Sequence, residues 1–394
     1  MYRRLNDEKY YRKFYFQDSF YAQCMDVDPL SLVQTERAAA AVRAVLENPV
    51  FQGVKHIIAS GCGDSNLVAF AVKGAFEHYL PQVEYEAVEA IELSRHYDYE
   101  ENHEDTVAFF ISYSGKIYRT IEAMEQCRRH GITTVAVTDN PESPTAKAAD
   151  ILCYTNIPKG DNNAGLRTYF ANVLTMITMA AAIGELQGGE GNVSRLGDQV
   201  RQYHDQFFSR LSEIDNRCFA AAIRWMDKKY LEIVGDGPLF WVGKFIQAKV
   251  VELSGDACAV IDSENFKHVN QMMEPGEEIG ELVYLNTNDR NLPHMVDTVN
   301  GMAAKNRDVL LFCDRRPEEI GITAGVQYCP MPVPEKEYNF LAPLYAFLPG
   351  AIFAGFRHTT IGEPMFRGGM DPTIFIPTYY SPVDVVDMES VGRE

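Results

Sequence analysis

Two short turns rich in glycine and serine follow apolar runs in the first third of the chain, and they constrain its fold more than any other feature. The first covers residues 60–65, Ser-Gly-Cys-Gly-Asp-Ser, and the second covers residues 112–116, Ser-Tyr-Ser-Gly-Lys. A helical pattern follows each turn, so each would join the end of a strand to the start of a helix. Backbone N–H groups and the positive end of the helix dipole converge at such a turn, and this arrangement binds phosphate. We expect the two turns to hold one phosphorylated small molecule from two sides.

Five apolar, strand-like segments alternate with helical patterns in the region that contains both turns. The candidate strands are residues 55–59, 85–88, 107–111, 134–138 and 151–154. This alternation predicts an α/β fold with a doubly wound parallel sheet, right-handed crossovers and helices on both faces. Both turns would then lie at the carboxyl edge of the sheet, where open α/β sheets bind their ligands.

The second half of the chain repeats this rhythm. Its candidate strands are residues 231–234, 257–261, 282–285, 309–313 and 326–329, and an apolar helix is expected at about 339–356. We therefore predict two tandem five-stranded parallel-sheet domains of flavodoxin-like topology. The predicted organisation is an N-terminal helical arm at 1–50, a first domain at 51–190, a helical bridge at 191–228, a second domain at 229–380 and an acidic tail at 381–394.

The composition limits the kinds of molecule that this chain is expected to bind. The 394 residues carry a formal net charge of −19, which disfavours binding to nucleic acid or to an anionic membrane surface. No run reaches the roughly 18 consecutive apolar residues of a membrane span, and the N-terminus has no apolar signal core. The eight cysteines are scattered without a CxxC pair, as is usual for reduced, buried thiols. We expect a cytoplasmic protein whose partner is a small molecule.

These features resemble the sugar isomerase (SIS) domain family. The first turn is similar to that family's glycine-then-serine phosphate loop, and the second is similar to its Ser-x-Ser-Gly turn. The segment 133–150, with Thr-Asp-Asn-Pro at 138–141 and Ser-Pro at 143–144, resembles the family's next strand, loop and helix. The resemblance covers roughly residues 45–380 and extends to the isomerase part of glucosamine-6-phosphate synthase and to ketosamine-6-phosphate deglycases. It implies two SIS domains in tandem.

The resemblance also implies a set of residues that bind the substrate and its phosphate. These are Gly63, Asp64, Ser65, Ser112, Tyr113, Ser114, Lys116, Arg167 and Thr168. Ile117 stands where the family usually has a phosphate-binding threonine, so Lys116 or Arg119 could supply charge instead. The serines could also act only as helix caps and turn residues, because serine is common at such positions.

Two further residues carry the implied chemistry. Glu252 and His268 stand sixteen positions apart, as the catalytic glutamate and histidine do in the resembled enzymes. Isomerising or cleaving a ketosamine phosphate needs a base that moves a proton between C1 and C2, and an acid/base that opens the sugar ring. By resemblance, Glu252 would transfer the proton and His268 would assist ring opening. The family often places this histidine at a dimer interface, so a homodimer with the active site near the subunit interface is implied.

No cofactor is expected. The histidines show no metal-ligand spacing such as HExxH, so no catalytic metal is expected. The Gly-Asp-Gly turn at 235–237 lacks the third glycine and the acidic ribose partner of a dinucleotide site, so NAD is not expected either.

The leading hypothesis is an enzyme that acts on a phosphorylated amino sugar or ketosamine through an enolamine or enediol. C–N bond cleavage of the deglycase or deaminase type is favoured over glutamine-dependent synthesis, because no glutaminase domain precedes the two domains and Cys24 is the first thiol. Two alternatives stay open at this point: a plain aldose–ketose phosphosugar isomerase, and a sugar-phosphate sensor that binds without turnover. Release of an amine from the substrate would separate the first hypothesis from both.

Overall fold

The computed structural model describes residues 19–99, 105–160, 164–323 and 325–367, and these residues divide into two compact units. The first-sheet unit comprises the described residues of 29–160 and 167–198. The second-sheet unit comprises the described residues of 19–28, 164–166 and 199–367. Each unit contains one five-stranded sheet.

The chain enters the described region through helix α1, Ser19–Val45, and then forms the first sheet. Its strands are β1 His56–Gly61, β2 Glu84–Ala87, β3 Thr106–Ile111, β4 Thr133–Thr138 and β5 Ile151–Tyr154. All neighbours are parallel, in the order β2-β1-β3-β4-β5. The helices of this part are α2 Asp64–Ala71, α3 Lys73–Tyr79, α4 Ala90–Arg95, α5 Tyr118–Arg129, α6 Pro144–Ala148 and α7 Arg167–Leu186. Every residue of the central strand β3 is buried, as expected of a parallel sheet covered on both faces.

Helices α8 Asn192–Phe208 and α9 Leu211–Arg224 lead to the second sheet. Its strands are β6 Tyr230–Gly235, β7 Cys258–Ile261, β8 Ile279–Leu285, β9 Asp308–Cys313 and β10 Gln327–Pro330. They are again all parallel, in the order β10-β9-β8-β6-β7. The helices are α10 Pro238–Ser254, α11 Ser263–His268, α12 Leu292–Ala304 and α13 Phe347–Ile361. Reading this order from β7 gives the same topology as the first sheet, so the predicted pair of five-stranded parallel-sheet domains is confirmed.

Two predicted elements differ from the structure. Strand β8 begins at Ile279, three residues before the predicted start. The prediction missed these residues because Gly280 and Glu281 interrupt the apolar pattern, although both lie in the sheet. The helix predicted at about 339–356 is divided into a 3-10 segment, Lys336–Leu344, and α13. Pro343 lies in the 3-10 segment and cannot donate the backbone hydrogen bond that a continuous α-helix requires.

Two segments have the length and hydropathy of membrane spans. They are Arg167–Leu186 and Lys336–Ile361, each with a mean hydropathy of 1.4, and 89% and 94% of their apolar windows are buried inside the fold. Such burial is typical of core helices in a globular protein. All eight cysteines are free thiols, as predicted, and six of them are buried. The first 18 residues of the predicted arm and the predicted acidic tail lie outside the described residues.

Candidate functional site

The two glycine-serine turns leave neighbouring strands at the same edge of the first sheet. Strands β1 and β3 pair in parallel, and their last residues, Gly61 and Ile111, are direct partners. Residues 62–65 and 112–116 therefore start side by side at the carboxyl edge. A hydrogen bond from the Thr120 hydroxyl to the Cys62 sulfur, at 3.5 Å, links the first turn to helix α5 after the second turn.

The first turn is shaped by the close approach of helix α2 to the end of β1. A Cβ on Gly61 would lie 2.9 Å from both the Asn66 nitrogen and the Ile111 oxygen, so a side chain does not fit there. Gly63 adopts a positive φ of 57° and precedes the helix. Helix α2 begins directly after this glycine, and the start of a helix is a position at which backbone N–H groups can bind an anion.

The second turn is held by the segment that follows β4. The backbone oxygen of Tyr113 accepts hydrogen bonds from the Thr138 hydroxyl at 3.1 Å and from the Asp139 amide at 3.2 Å. The Asn140 side chain donates to the Ser114 oxygen at 3.5 Å. These bonds engage the carbonyls of the turn, so they fix its orientation. The Thr-Asp-Asn segment therefore has a structural role that supports the turn.

Arg167 lies close to the second turn. The Arg167 side chain is buried at the start of α7. It packs directly against Gly160, since a Cβ atom added to that glycine would lie 1.6 Å from Arg167 Nη1. Burial and the nearby Asp139 carboxylate raise the pKa of the Tyr113 hydroxyl, and the Arg167 charge opposes that shift. Arg167 therefore supplies positive charge near Tyr113. Lys116 is exposed at the end of the turn, and Thr168 is half-buried.

Arg119 forms an ion pair with a buried carboxylate. Its guanidinium pairs with Glu122, which also pairs with Arg95, and it donates to the Ser94 hydroxyl at 3.3 Å. The alternative in which Arg119 supplies the phosphate charge is therefore disfavoured. Burial raises the pKa of the neighbouring Cys62 thiol, which disfavours a nucleophilic role for it.

The two predicted catalytic residues belong to the second-sheet unit. Glu252 lies near the end of α10 and forms a 2.7 Å ion pair with the fully buried Lys249. The Lys249 ammonium also lies 5.0 Å from the centre of the Phe245 ring. Lys249 was not identified from the sequence. Its one signal there is a lysine within an apolar helical stretch, one turn before Glu252.

His268 ends helix α11, and its side chain is 68% exposed. Its Nε2 lies 2.9 Å from Glu264 Oε1, and the other oxygen of that carboxylate lies 3.1 Å from His294 Nε2. Glu252 and His268 thus have separate neighbours, Lys249 and Glu264. In the described ranges, no three His, Cys, Asp or Glu side chains are grouped as metal ligands would be.

The corresponding turn of the second sheet is chemically different. After β6, the carboxylate of Asp236 accepts hydrogen bonds from the Ser263 amide at 2.9 Å, the Ser263 hydroxyl at 2.7 Å and the Asn291 side chain at 2.7 Å. These donors are engaged by a carboxylate of the chain itself. Asp236 therefore ties the turn after β6 to the start of α11 and to Asn291.

Parts of the chain are similar in sequence to known proteins. Glutamine–fructose-6-phosphate aminotransferase of Bartonella quintana is 22% identical over 268 residues, 65% of this chain and 41% of that protein. The chain thus spans about two fifths of that relative's length. An uncharacterised HTH-type transcriptional regulator of Caldanaerobacter subterraneus is 38% identical over 71 residues, 18% of this chain and 25% of that protein.

A solved structure has the same fold. The C-terminal domain of glucosamine-fructose-6-phosphate aminotransferase from Francisella tularensis matches with a TM-score of 0.74 at 17% identity, over 84% of this chain and 95% of that chain. The SIS domain family matches residues 51–183, which contain both turns. Residues 51–183 therefore match the SIS domain, and the likeness to the solved structure shows that the chain has the fold of two tandem parallel-sheet domains.

Proposed function

We propose that this protein is an enzyme that cleaves the C–N bond of a phosphorylated ketosamine or amino sugar and isomerises the sugar in the same reaction. The observation that carries the proposal is the pair of glycine-serine turns at one edge of a SIS domain sheet. Their backbone donors, the start of α2 and the charge of Arg167 suit a phosphate group. Similarity to an aminotransferase that acts at a sugar phosphate supports an amino sugar as the substrate class.

The chemistry is assigned to Glu252 and His268. His268 assists opening of the sugar ring, and Glu252 removes a proton from C1 of the open-chain ketosamine to give an enolamine. Protonation at C2 then produces an imine at C1. Water hydrolyses the imine, so that an aldose phosphate and a free amine leave. Each step moves only protons or water, so the scheme needs no redox partner.

We further propose a cytoplasmic homodimer with the active site near the subunit interface. The exposure of His268 in the single chain supports this, because a catalytic imidazole needs an environment that excludes water. The ligand in this proposal is a small phosphosugar, with no role for nucleic acid or membrane.

The proposal is tested by incubating the purified protein with a panel of fructosamine 6-phosphates and glucosamine 6-phosphate. Both the hexose phosphate and the released amine are measured. Equal amounts of the two products are expected. Hexose interconversion without amine would instead identify a plain aldose–ketose isomerase, and inactivity across the panel would contradict the proposed enzyme.

The phosphate-binding role of the turn serines can be tested separately from turnover. Ser114→Ala and Ser112→Ala are each expected to weaken phosphosugar binding by about 10-fold to 100-fold, because a hydrogen bond to a charged group contributes about 1.5–3 kcal/mol. Isothermal titration calorimetry measures this loss. Ser209→Ala is the matched control, since its hydroxyl is exposed and donates to the Gln206 backbone oxygen. Unchanged affinity in both turn variants would remove these serines from the phosphate site.

A second candidate is a sugar-phosphate sensor without turnover. The 71-residue similarity to an HTH-type regulator favours it, because that regulator shares a segment of this chain at higher identity than the aminotransferase does. A sensor would be stabilised by a phosphosugar in a thermal melt and would release no amine. Glu252→Gln would then bind the ligand as the native protein does.

A further inference from the structure

A cluster of buried charges lies inside the second-sheet unit. Glu232 on β6 and Glu281 on β8 are direct partners in the parallel pair, and both side chains lie on one face of the sheet. Arg307, the residue before β9, pairs with both carboxylates, at 3.0 Å from Glu232. All three side chains are fully buried. Neither Glu252 nor His268 belongs to this cluster.

The cluster holds the segment that follows His268. The Asn270 side chain donates to Glu232, and Arg307 Nη2 donates to the backbone oxygens of Asn270 and, at 3.2 Å, of Met273. The Arg307 guanidinium also lies 5.0 Å from the centre of the Phe266 ring in α11. Contacts on both sides of His268 therefore fix its backbone to the buried cluster.

The charges of the cluster do not balance when both carboxyls are ionised. Two carboxylates and one guanidinium would leave one net negative charge in the core, which is strongly unfavourable. Burial and the neighbouring Glu232 raise the pKa of Glu281 to about 8, against the influence of Arg307. A protonated Glu281 leaves one carboxylate against one guanidinium.

We propose that the Glu232–Glu281–Arg307 cluster is a proton-dependent lock that positions His268 by holding residues 270–273. This inference rests on the proposed catalytic role of His268. The cluster acts through the backbone and does not touch the substrate, so its members are positioning residues. Loss of the Glu281 proton places a second negative charge beside the bonds that hold the segment.

The other titratable groups near Glu281 do not replace it as the proton carrier. Tyr230 on β6 has a pKa raised to about 12 by burial and by the two carboxylates. Burial and nearby carboxylates also raise the pKa of Cys258 on β7 far above neutral. The proton that is lost near pH 8 therefore belongs to Glu281.

The sign of the pH dependence follows from the raised pKa. Between the ordinary pKa of 4.5 and about 8, the folded protein binds a proton that the opened segment does not. The lock is therefore strongest at pH 4.5 and below, weakens by up to about tenfold per pH unit as the pH rises, and changes little above about 8.

Hydrogen exchange of the full chain tests the lock directly. After correction for the intrinsic exchange rate, protection of amides 266–273 is expected to fall by up to about tenfold from pH 6 to 7 and again from pH 7 to 8. Glu281→Gln, which mimics the protonated carboxyl, is expected to abolish this slope. Glu278→Gln is the matched control, because Glu278 precedes the same strand and pairs with Lys229 at the surface. An equal slope in all three proteins would overturn the proposal.

Catalysis supplies the second readout. Native activity is expected to decline along an alkaline limb that levels off above about pH 8, and Glu281→Gln is expected to remove that limb. Asn270→Ala, which removes the side-chain link and leaves the three charges, is expected to lower kcat about tenfold and change KM less than twofold. A limb that persists in Glu281→Gln, or an Asn270→Ala variant with native kcat, would refute the positioning role. Absence of turnover with the expected exchange slope would refute the proposed enzyme and leave the lock established.

Discussion

Replacing Glu252 with glutamine is expected to lower kcat by about 100-fold to 10,000-fold while phosphosugar affinity stays within about twofold of native. This range is typical for the loss of one general acid or base. Glutamine has nearly the same shape as glutamate but cannot accept or deliver a proton, so the substrate still binds while the C1 proton stays in place. Amine release measures the turnover, and titration calorimetry measures the affinity.

The same substitution has a structural consequence that needs its own control. Lys249 is fully buried, and Glu252→Gln removes the negative charge from its 2.7 Å ion pair with residue 252. Lys249→Met in the Glu252→Gln background is expected to restore thermal stability without restoring turnover. Glu213→Gln changes a surface carboxylate that pairs with Arg210 and is expected to behave as the native protein. Turnover within tenfold of native in Glu252→Gln would assign the proton transfer to another group.

The strands could be predicted because buried positions in a parallel sheet are mostly occupied by apolar residues. Every residue of β3, from Thr106 to Ile111, is buried, and that run is almost continuously apolar in the sequence. The pattern fails where a buried strand carries charge. Glu281 lies in the middle of β8, and the sequence gives no sign that Arg307, twenty-six residues later, supports it.

The placement of the two turns was also predictable, since the turns follow strands that pair in a doubly wound sheet. Their supporting hydrogen bonds were not. Thr138 and Asn140 were noted only as part of a family resemblance, and their function as donors to the Tyr113 and Ser114 carbonyls depends on a loop that is distant in sequence. The assignment of the binding and catalytic residues stays a prediction, for which the variants described above are the tests.

The two sheets show why topology alone does not assign function. Both present a turn after their first strand, at residues 61–63 and 235–237. Each turn leads into a helix, α2 or α10, but the two differ in side chains: in the second, Asp236 accepts hydrogen bonds from Ser263 and Asn291, whereas Cys62 of the first accepts one from Thr120.

Gly115 is the position at which the geometry of the phosphate turn is most sensitive. It adopts a positive φ of 63°, and a Cβ there would lie 2.0 Å from Ser143 Oγ and 2.4 Å from Ser143 Cβ. Ser143 cannot simply retreat, because its hydroxyl accepts the Ala146 amide at 3.2 Å as the cap of helix α6. The Gly115 oxygen also accepts two hydrogen bonds from Thr145. These hydrogen bonds join the turn to the cap and first residues of helix α6, so a displacement of one requires a displacement of the others.

Gly115→Ala is accordingly expected to cost about 2–5 kcal/mol of stability, from backbone strain and overpacking, and to weaken phosphosugar binding by at least about tenfold. Gly131→Ala separates backbone strain from overpacking, because Gly131 has a positive φ of 78° but nothing lies within 4 Å of an added Cβ. This variant is expected to lose about 1–2 kcal/mol of stability and to bind the phosphosugar normally. Adding Ser143→Gly to Gly115→Ala removes the clash and should restore much of the affinity. Thermal melts and calorimetry on the three variants measure both quantities. Native affinity in Gly115→Ala would mean that this turn does not hold the ligand.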